Sequence, residues 1–158
     1  MKNRYFFIII LLFFFFFIVL FKGLKNPNVY IPELQKEKNL SRFEASDFYS
    51  NTKTSSLDIL NDNNFYLINI WASWCLPCRE EHDYLIKLKE QNLIKLIGIN
   101  YKDNFKNAKK FLNEMGNPYS KILKDKNGTV SIQLGAYGVP ETFIIDKNKK
   151  IIKKIIGP

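Results

Sequence analysis

Apolar residues are spread along this chain in two different ways. From Tyr5 to Phe21 there are 17 residues without a charge, nearly all Phe, Ile and Leu. At 1.5 Å per residue that run covers roughly 25 Å, and a snorkelling Lys22 lets Gly23 and Leu24 complete a span of the ~30 Å hydrocarbon core. Lys2 and Arg4 would suit the start of a secretory signal. The run, however, exceeds the usual ~7–15 residues of such a segment, and no small-x-small cleavage site follows it. An uncleaved transmembrane helix over residues 5–24 is the expectation. Lys2 and Arg4 on one side face Lys22, Lys25, Lys36 and Lys38 on the other, so charge counting does not set its orientation.

Beyond the anchor, residues 25–38 are polar, contain Pro27 and Pro32, and lack periodicity; they read as a tether. Residues 39–158 then suit one compact domain. Asn39 to Ser50 predicts a short edge element, and Asp58 to Asn64 a loop. Phe65-Tyr66-Leu67-Ile68-Asn69-Ile70-Trp71 predicts a buried strand, and Glu80 to Gln91 a helix with Tyr84, Leu85 and Leu88 on one side. Ile94 to Asn100 predicts a second buried strand, parallel to the first because a helix joins them. Asp103 to Met115 predicts a helix burying Phe105, Ala108, Phe111, Leu112 and Met115, stopped by Gly116-Asn117-Pro118. Gly128 to Leu134 predicts a short helix. Thr142 to Asp146 and Ile151 to Ile156 predict a hairpin around Lys147–Lys150. The sum is an α/β domain with a mixed sheet flanked by helices.

The net charge of +9 changes this picture little. The lysines are interleaved with Asp, Glu and Asn, with no basic helix face or base-stacking motif, so a solvated surface is expected and no nucleic acid partner. The two cysteines do change it. Both fall in Trp74-Cys75-Leu76-Pro77-Cys78-Arg79, where the first buried strand gives way to a helix. A thiol there faces unpaired N–H groups and the positive end of the helix dipole, which favour thiolate. Cys75, coming first, is expected to be the more exposed and more acidic sulfur, with Cys78 one turn on as its resolving partner. His82 gives only a third metal ligand beside the two thiols, one short of a closed structural zinc site, and is expected on the helix surface. No metal and no bound cofactor are expected; the dithiol is the redox group.

Trp-Cys-x-x-Cys at a strand-to-helix turn, with Val139-Pro140 before a later strand, resembles the thioredoxin superfamily. Four blocks in register narrow the likeness: Trp71 to His82, Gly98 to Asp103, Gly116 to Tyr119, and Tyr137 to Asp146. Together they resemble the DsbE/CcmG family, membrane-anchored thiol:disulfide interchange proteins of cytochrome c biogenesis. The resemblance implies a thioredoxin-like fold behind one transmembrane helix. Residues 1–4 would be cytoplasmic, the anchor would lie in the inner membrane, and residues 39–158 would face the periplasm. It makes Cys75 the attacking and Cys78 the resolving cysteine, and Pro140 a cis-proline that leaves the backbone before it free for a substrate peptide. Trp74, Glu81 and Glu141 would be supporting residues; each glutamate is open to two readings, a proton carrier or tuner of the thiols, or an ordinary solvated carboxylate. Asn69 stands where general thioredoxins keep a buried Asp. Members usually run on into a last helix where this chain reaches Pro158, so either a trimmed domain or an incomplete sequence is implied.

The activity implied is reduction of the Cys-x-x-Cys-His thiols of apocytochrome c, alone or on a haem-assembly partner. A membrane electron donor of the DsbD type would supply the electrons. Two other classes use the same pair. One is a copper(I)-carrying chaperone, since soft thiolates favour that ion; the other is a general periplasmic thiol-disulfide oxidoreductase. A peroxidase of the same fold usually lacks a partner cysteine two residues away.

Overall fold

The structure, a computed structural model, describes residues 2–25 and 38–158. Between its end residues, the tether expected over 25–38 lies outside the described residues. The N-terminal helix and the domain after it are separate compact units. The first is α1 (Lys2–Lys25), within which Arg4–Gly23 is long and apolar enough to cross a membrane. From Tyr5 to Phe21 its large apolar side chains are exposed all round, which suits lipid better than a one-sided protein core.

The second unit runs β1 (Lys38–Asn39), β2 (Glu44–Asp47), β3 (Lys53–Ser55), α2 (Ser56–Ile59), β4 (Tyr66–Trp71), α3 (Leu76–Glu90), β5 (Lys95–Tyr101), α4 (Phe105–Met115), β6 (Lys121–Asp125), α5 (Thr129–Leu134), β7 (Glu141–Ile145) and β8 (Lys150–Ile156). One mixed sheet takes the order β1-β8-β7-β4-β5-β6-β2-β3. β4, β5 and β6 are parallel, while β7 pairs antiparallel with both β4 and β8.

β4 is buried along its whole length, which is why its sequence reads as a continuous apolar run. Its side chains alternate between two cores. Tyr66, Ile68 and Ile70 join Ile97, Ile99, Phe143 and Ile145 on one face; Leu67 and Trp71 join Leu96, Leu85 and Phe111 on the other, beneath α3 and α4. Each of these burials contributes roughly 1.5–3 kcal/mol. At its C-terminal end β4 therefore delivers the chain, rigidly held, to Ala72 and the cysteines.

Several elements differ from the sequence reading. Lys121-Ile122-Leu123-Lys124-Asp125, too short of apolar residues to read as a strand, is β6 and extends the parallel sheet. The single element expected over Asn39 to Ser50 divides into β1 on one side of the sheet and β2 on the other. Asp58, expected in a loop, closes a capping box in α2: Leu57 N donates to Ser55 Oγ at 3.2 Å and Ser55 N donates to Asp58 Oδ2 at 3.2 Å. The helix expected from Glu80 begins at Leu76 because Cys75 caps it. On α4 the expected face buries Ala108, Phe111 and Leu112 but leaves Phe105 exposed.

Candidate active site

Cys75 and Cys78 are joined as a disulfide at the start of α3. Cys75 is the N-cap residue, and its Sγ accepts the Cys78 N–H at 3.1 Å, satisfying one of the orphan donors of the first turn. Pro77 fits this first turn because it has no N–H to leave unpaired. The two sulfurs are not separated by exposure as the sequence suggested. Cys75 is 3% and Cys78 2% exposed, and both pack into the apolar cluster with Ala72 and Trp71.

The loop before Cys75 is fastened to the β5–α4 turn. Asp103 accepts from Ser73 N at 2.6 Å and Ser73 Oγ at 2.8 Å, and Trp74 Nε1 donates to Lys102 O at 3.2 Å. That leaves the Trp74 and Leu76 side chains projecting into solvent on either side of Cys75.

Behind Cys78, one helical turn on, lies Glu81. It is buried, not solvated. Asn69, in the middle of β4, donates from Nδ2 to Glu81 Oε1 at 2.8 Å and to Thr142 Oγ1 at 3.0 Å, while Tyr119 Oη donates to Asn69 Oδ1 at 2.7 Å. The Tyr119 bond fixes which end of the Asn69 amide faces the carboxyl. Burial pushes the Glu81 carboxyl above its ordinary range, an effect the Asn69 bond offsets only in part. Burial also lifts the Tyr119 phenol well above its usual value, with the Glu81 charge adding to it. Tyr119 stacks on Trp71 with centroids 5.6 Å apart, and Gly98 makes room for both: a Cβ there would come within 2.8 Å of Trp71 Nε1.

His82 corrects the sequence reading. It is 1% exposed instead of lying on the helix surface, its Nε2 donates to Gly116 O at 2.9 Å, and its ring meets Phe111 edge-on at 4.9 Å. α3 is turned so that this side packs against α4. Burial pushes the imidazole below its ordinary value and keeps it neutral. Among the described residues no three His, Cys, Asp or Glu side chains gather as a metal site.

The Val139–Pro140 peptide bond is cis. Pro140 lines a groove of about 330 Å³ together with Pro77, Tyr137, Val139 and Ile156. Among the described residues, Val139 N–H and C=O make no hydrogen bond, so one peptide edge is open beside the disulfide. Glu141 is 1% exposed and accepts at Oε1 from Tyr137 N at 2.6 Å and Gly138 N at 2.9 Å. Its Oε2 lies 2.8 Å from Lys154 Nζ, an ion pair without the alignment of a hydrogen bond.

The structure thus brings Cys75, Cys78, Pro140, Glu81 and Glu141 to one end of the sheet, with Trp74 at the rim. Sequence reasoning assigned nothing to Asp103, Tyr119 or Lys154. Asp103 and Tyr119 sit inside two of the blocks that carried the resemblance, and that was their only signal. Lys154 had one in register, since it stands opposite the buried Phe143.

The Redoxin family model matches residues 30–158. The chain is 43% identical over 109 residues to the thiol:disulfide interchange protein DsbE of Yersinia pestis, covering 69% of this chain and 57% of that protein. To the thiol:disulfide interchange protein CycY of Rhizobium leguminosarum bv. viciae it is 46% identical over 92 residues, covering 58% of this chain and 50% of the relative. It thus spans little more than half the length of these curated relatives. Among solved structures, a secreted thiol-disulfide isomerase of Corynebacterium glutamicum superposes with TM-score 0.68 at 22% identity, covering 82% of this chain and 84% of the other. A DsbF homologue of Corynebacterium diphtheriae gives TM-score 0.67 at 24% identity, covering 82% and 86%. Those two likenesses speak for the thioredoxin-like fold. A family match over most of the length, the cysteine pair at the cap of α3 and the cis-proline opposite agree: the chain belongs to the Redoxin family and is similar within it to the DsbE thiol:disulfide interchange proteins.

Proposed function

We propose that this protein is a membrane-tethered protein-disulfide reductase that keeps the Cys-x-x-Cys-His thiols of apocytochrome c free for haem attachment. The observation that carries the reading is Cys75 Sγ at the N-cap of α3, accepting a backbone N–H beside an open peptide edge at Val139. A thiolate at that sulfur is favoured by the same N–H and by the helix dipole. Relatives named CycY and DsbE support the assignment to cytochrome c biogenesis.

In the cycle the Cys75 thiolate attacks one sulfur of the target disulfide. The target S–S bond breaks, a Cys75–target disulfide forms, and the first target thiol leaves. Cys78 then loses its proton and attacks Cys75 Sγ; the second target thiol leaves and Cys75–Cys78 closes. Two electrons pass to the target. Glu81, one turn after Cys78 and held as a weak acid by burial, accepts the Cys78 proton. The target peptide pairs with Val139 in the Pro140 groove, and Trp74 and Leu76 supply exposed apolar contact. A dithiol donor of the DsbD type restores the reduced form. α1 holds the domain on the periplasmic face of the inner membrane, near both partners.

The test is reduction of a Cys-x-x-Cys-His peptide disulfide by the reduced protein, with its reduction potential measured alongside. Turnover is expected, at a potential well below roughly −120 mV, the value of a dedicated oxidant. A potential near that value, or an inert peptide, would sink the reading. Cys78→Ala should trap apocytochrome c, or a haem-assembly partner carrying it, on Cys75.

A further inference from the structure

The lysines of this chain read from sequence as a solvated surface, yet Lys154 is not one of them. Its side chain is 8% exposed, and Nζ lies 2.8 Å from Glu141 Oε2, donates to Gly135 O at 2.7 Å, and sits 3.7 Å from the Tyr137 ring centroid. Glu141, in turn, holds the Tyr137 and Gly138 N–H groups at Oε1. Both ends of the segment that leads into the cis peptide are therefore fastened to one ammonium, the Gly135 end directly and the Tyr137–Gly138 end through a carboxylate. The next residue along, Val139, has an N–H that makes no hydrogen bond among the described residues. We infer that Lys154 is a positioning residue for substrate binding: from β8 it fixes residues 135–138 so that the Val139 edge stands ready to pair with a target chain.

The reason is one of charge. A buried carboxylate holds two N–H groups in place only while its own charge is balanced, and an ammonium that also caps a carbonyl and lies on an aromatic face does so at little entropic cost. An ordered edge spares the binding step the entropy of ordering the loop. The inference rests on the reductase reading for its substrate, but not for the clamp itself.

The experiment uses Lys154→Met, which keeps the stem over Tyr137, and Lys154→Arg, which keeps the charge. In Lys154→Met, amide hydrogen exchange at Tyr137 and Gly138 should quicken by about tenfold or more, with β5 amides unchanged, and Lys154→Arg should restore most of the protection. The KM for a peptide disulfide should rise about tenfold at little changed kcat, while reduction of a small disulfide that never reaches Val139 stays within about twofold. Should Lys154→Met not fold, the pair Glu141→Gln with Lys154→Met, which leaves no buried charge, carries the hydrogen-exchange readout, with quickened exchange at Tyr137 and Gly138 again expected and unaltered exchange overturning the clamp. Exchange unaltered at Tyr137 and Gly138, or quickened equally across the sheet, overturns the clamp. Loss of peptide and small-disulfide reduction in equal measure overturns the positioning role. A wild-type protein that reduces no disulfide would sink the reductase reading alone, because hydrogen exchange still decides the clamp.

Discussion

Two buried glutamates flank the redox pair, and the protein treats them in opposite ways. Glu81, on α3, has among the described residues one hydrogen-bond partner for its side chain, the neutral Asn69 amide, and burial leaves it a weak acid. Glu141, at the start of β7, has an ammonium and two backbone N–H groups. Depth alone does not separate them, since both side chains are almost wholly covered. The partners do. Glu81 sits among neutral groups, and burial raises its carboxyl above the ordinary range; Glu141 is tied into an ion pair and two backbone N–H bonds that hold a loop. The contrast teaches that burial of an acid in a redox site is not itself a sign of proton chemistry.

The bluntest way to break the site is Cys75→Ala, which should reduce disulfide exchange to background, because the one thiol left, Cys78, is not at the helix cap and has no partner with which to close a disulfide. Next in size is Glu141→Gln. It strands Lys154 without its counter-charge and is expected to cost about 3–5 kcal/mol in denaturant unfolding. The same change at Glu81 should act the other way on stability. Because the folded-state pKa of Glu81 is raised above its ordinary 4.5, its contribution is full below that pH and lost as pH rises through the folded value. Glu81→Gln therefore melts higher than wild type near neutrality and loses this pH dependence, while peptide reduction falls on the order of 10²-fold for want of a proton acceptor. Equal signs for the two Gln variants at pH 7 would erase the distinction.

Smaller effects sharpen it. Tyr119→Phe removes the bond that orients Asn69 and should cost about 1–2 kcal/mol, with the reductase pH profile shifted because the amide is free to turn. His82 gives the mildest signature. Its folded pKa lies below its ordinary 6.5, so stability is full above that value and declines as pH falls beneath it. Thermal melts at pH 7.5 and 5.5 check this, with His82→Phe flattening the difference.

Much of this was legible beforehand. β4 announced itself because a strand buried on both faces has no solvent-facing row of polar residues, Asn69 being its one amide side chain, and the cysteine pair stood at its end. The four blocks that carried the resemblance were right about the fold. Local pattern failed where partners lie far off in sequence. β6 has only Ile122 and Leu123 to mark it, and becomes a strand because β5 offers it a parallel edge. His82 looked like surface because helical spacing shows which residues share a face, not what α4 lays against it.

Sequence by itself settled the apolar N-terminal helix, the placing of both sulfurs at a strand–helix junction, and the class of fold, since each depends on residues close together or on a periodicity read in place. Only the tertiary structure decided which acid keeps a neutral setting and which is paired with a lysine. Asn69, Tyr119 and Glu81 come from three elements, and Glu141 meets Lys154 only once β8 lies beside β7. Charge and proton affinity are set by neighbours within a few ångströms, and folding chooses those neighbours.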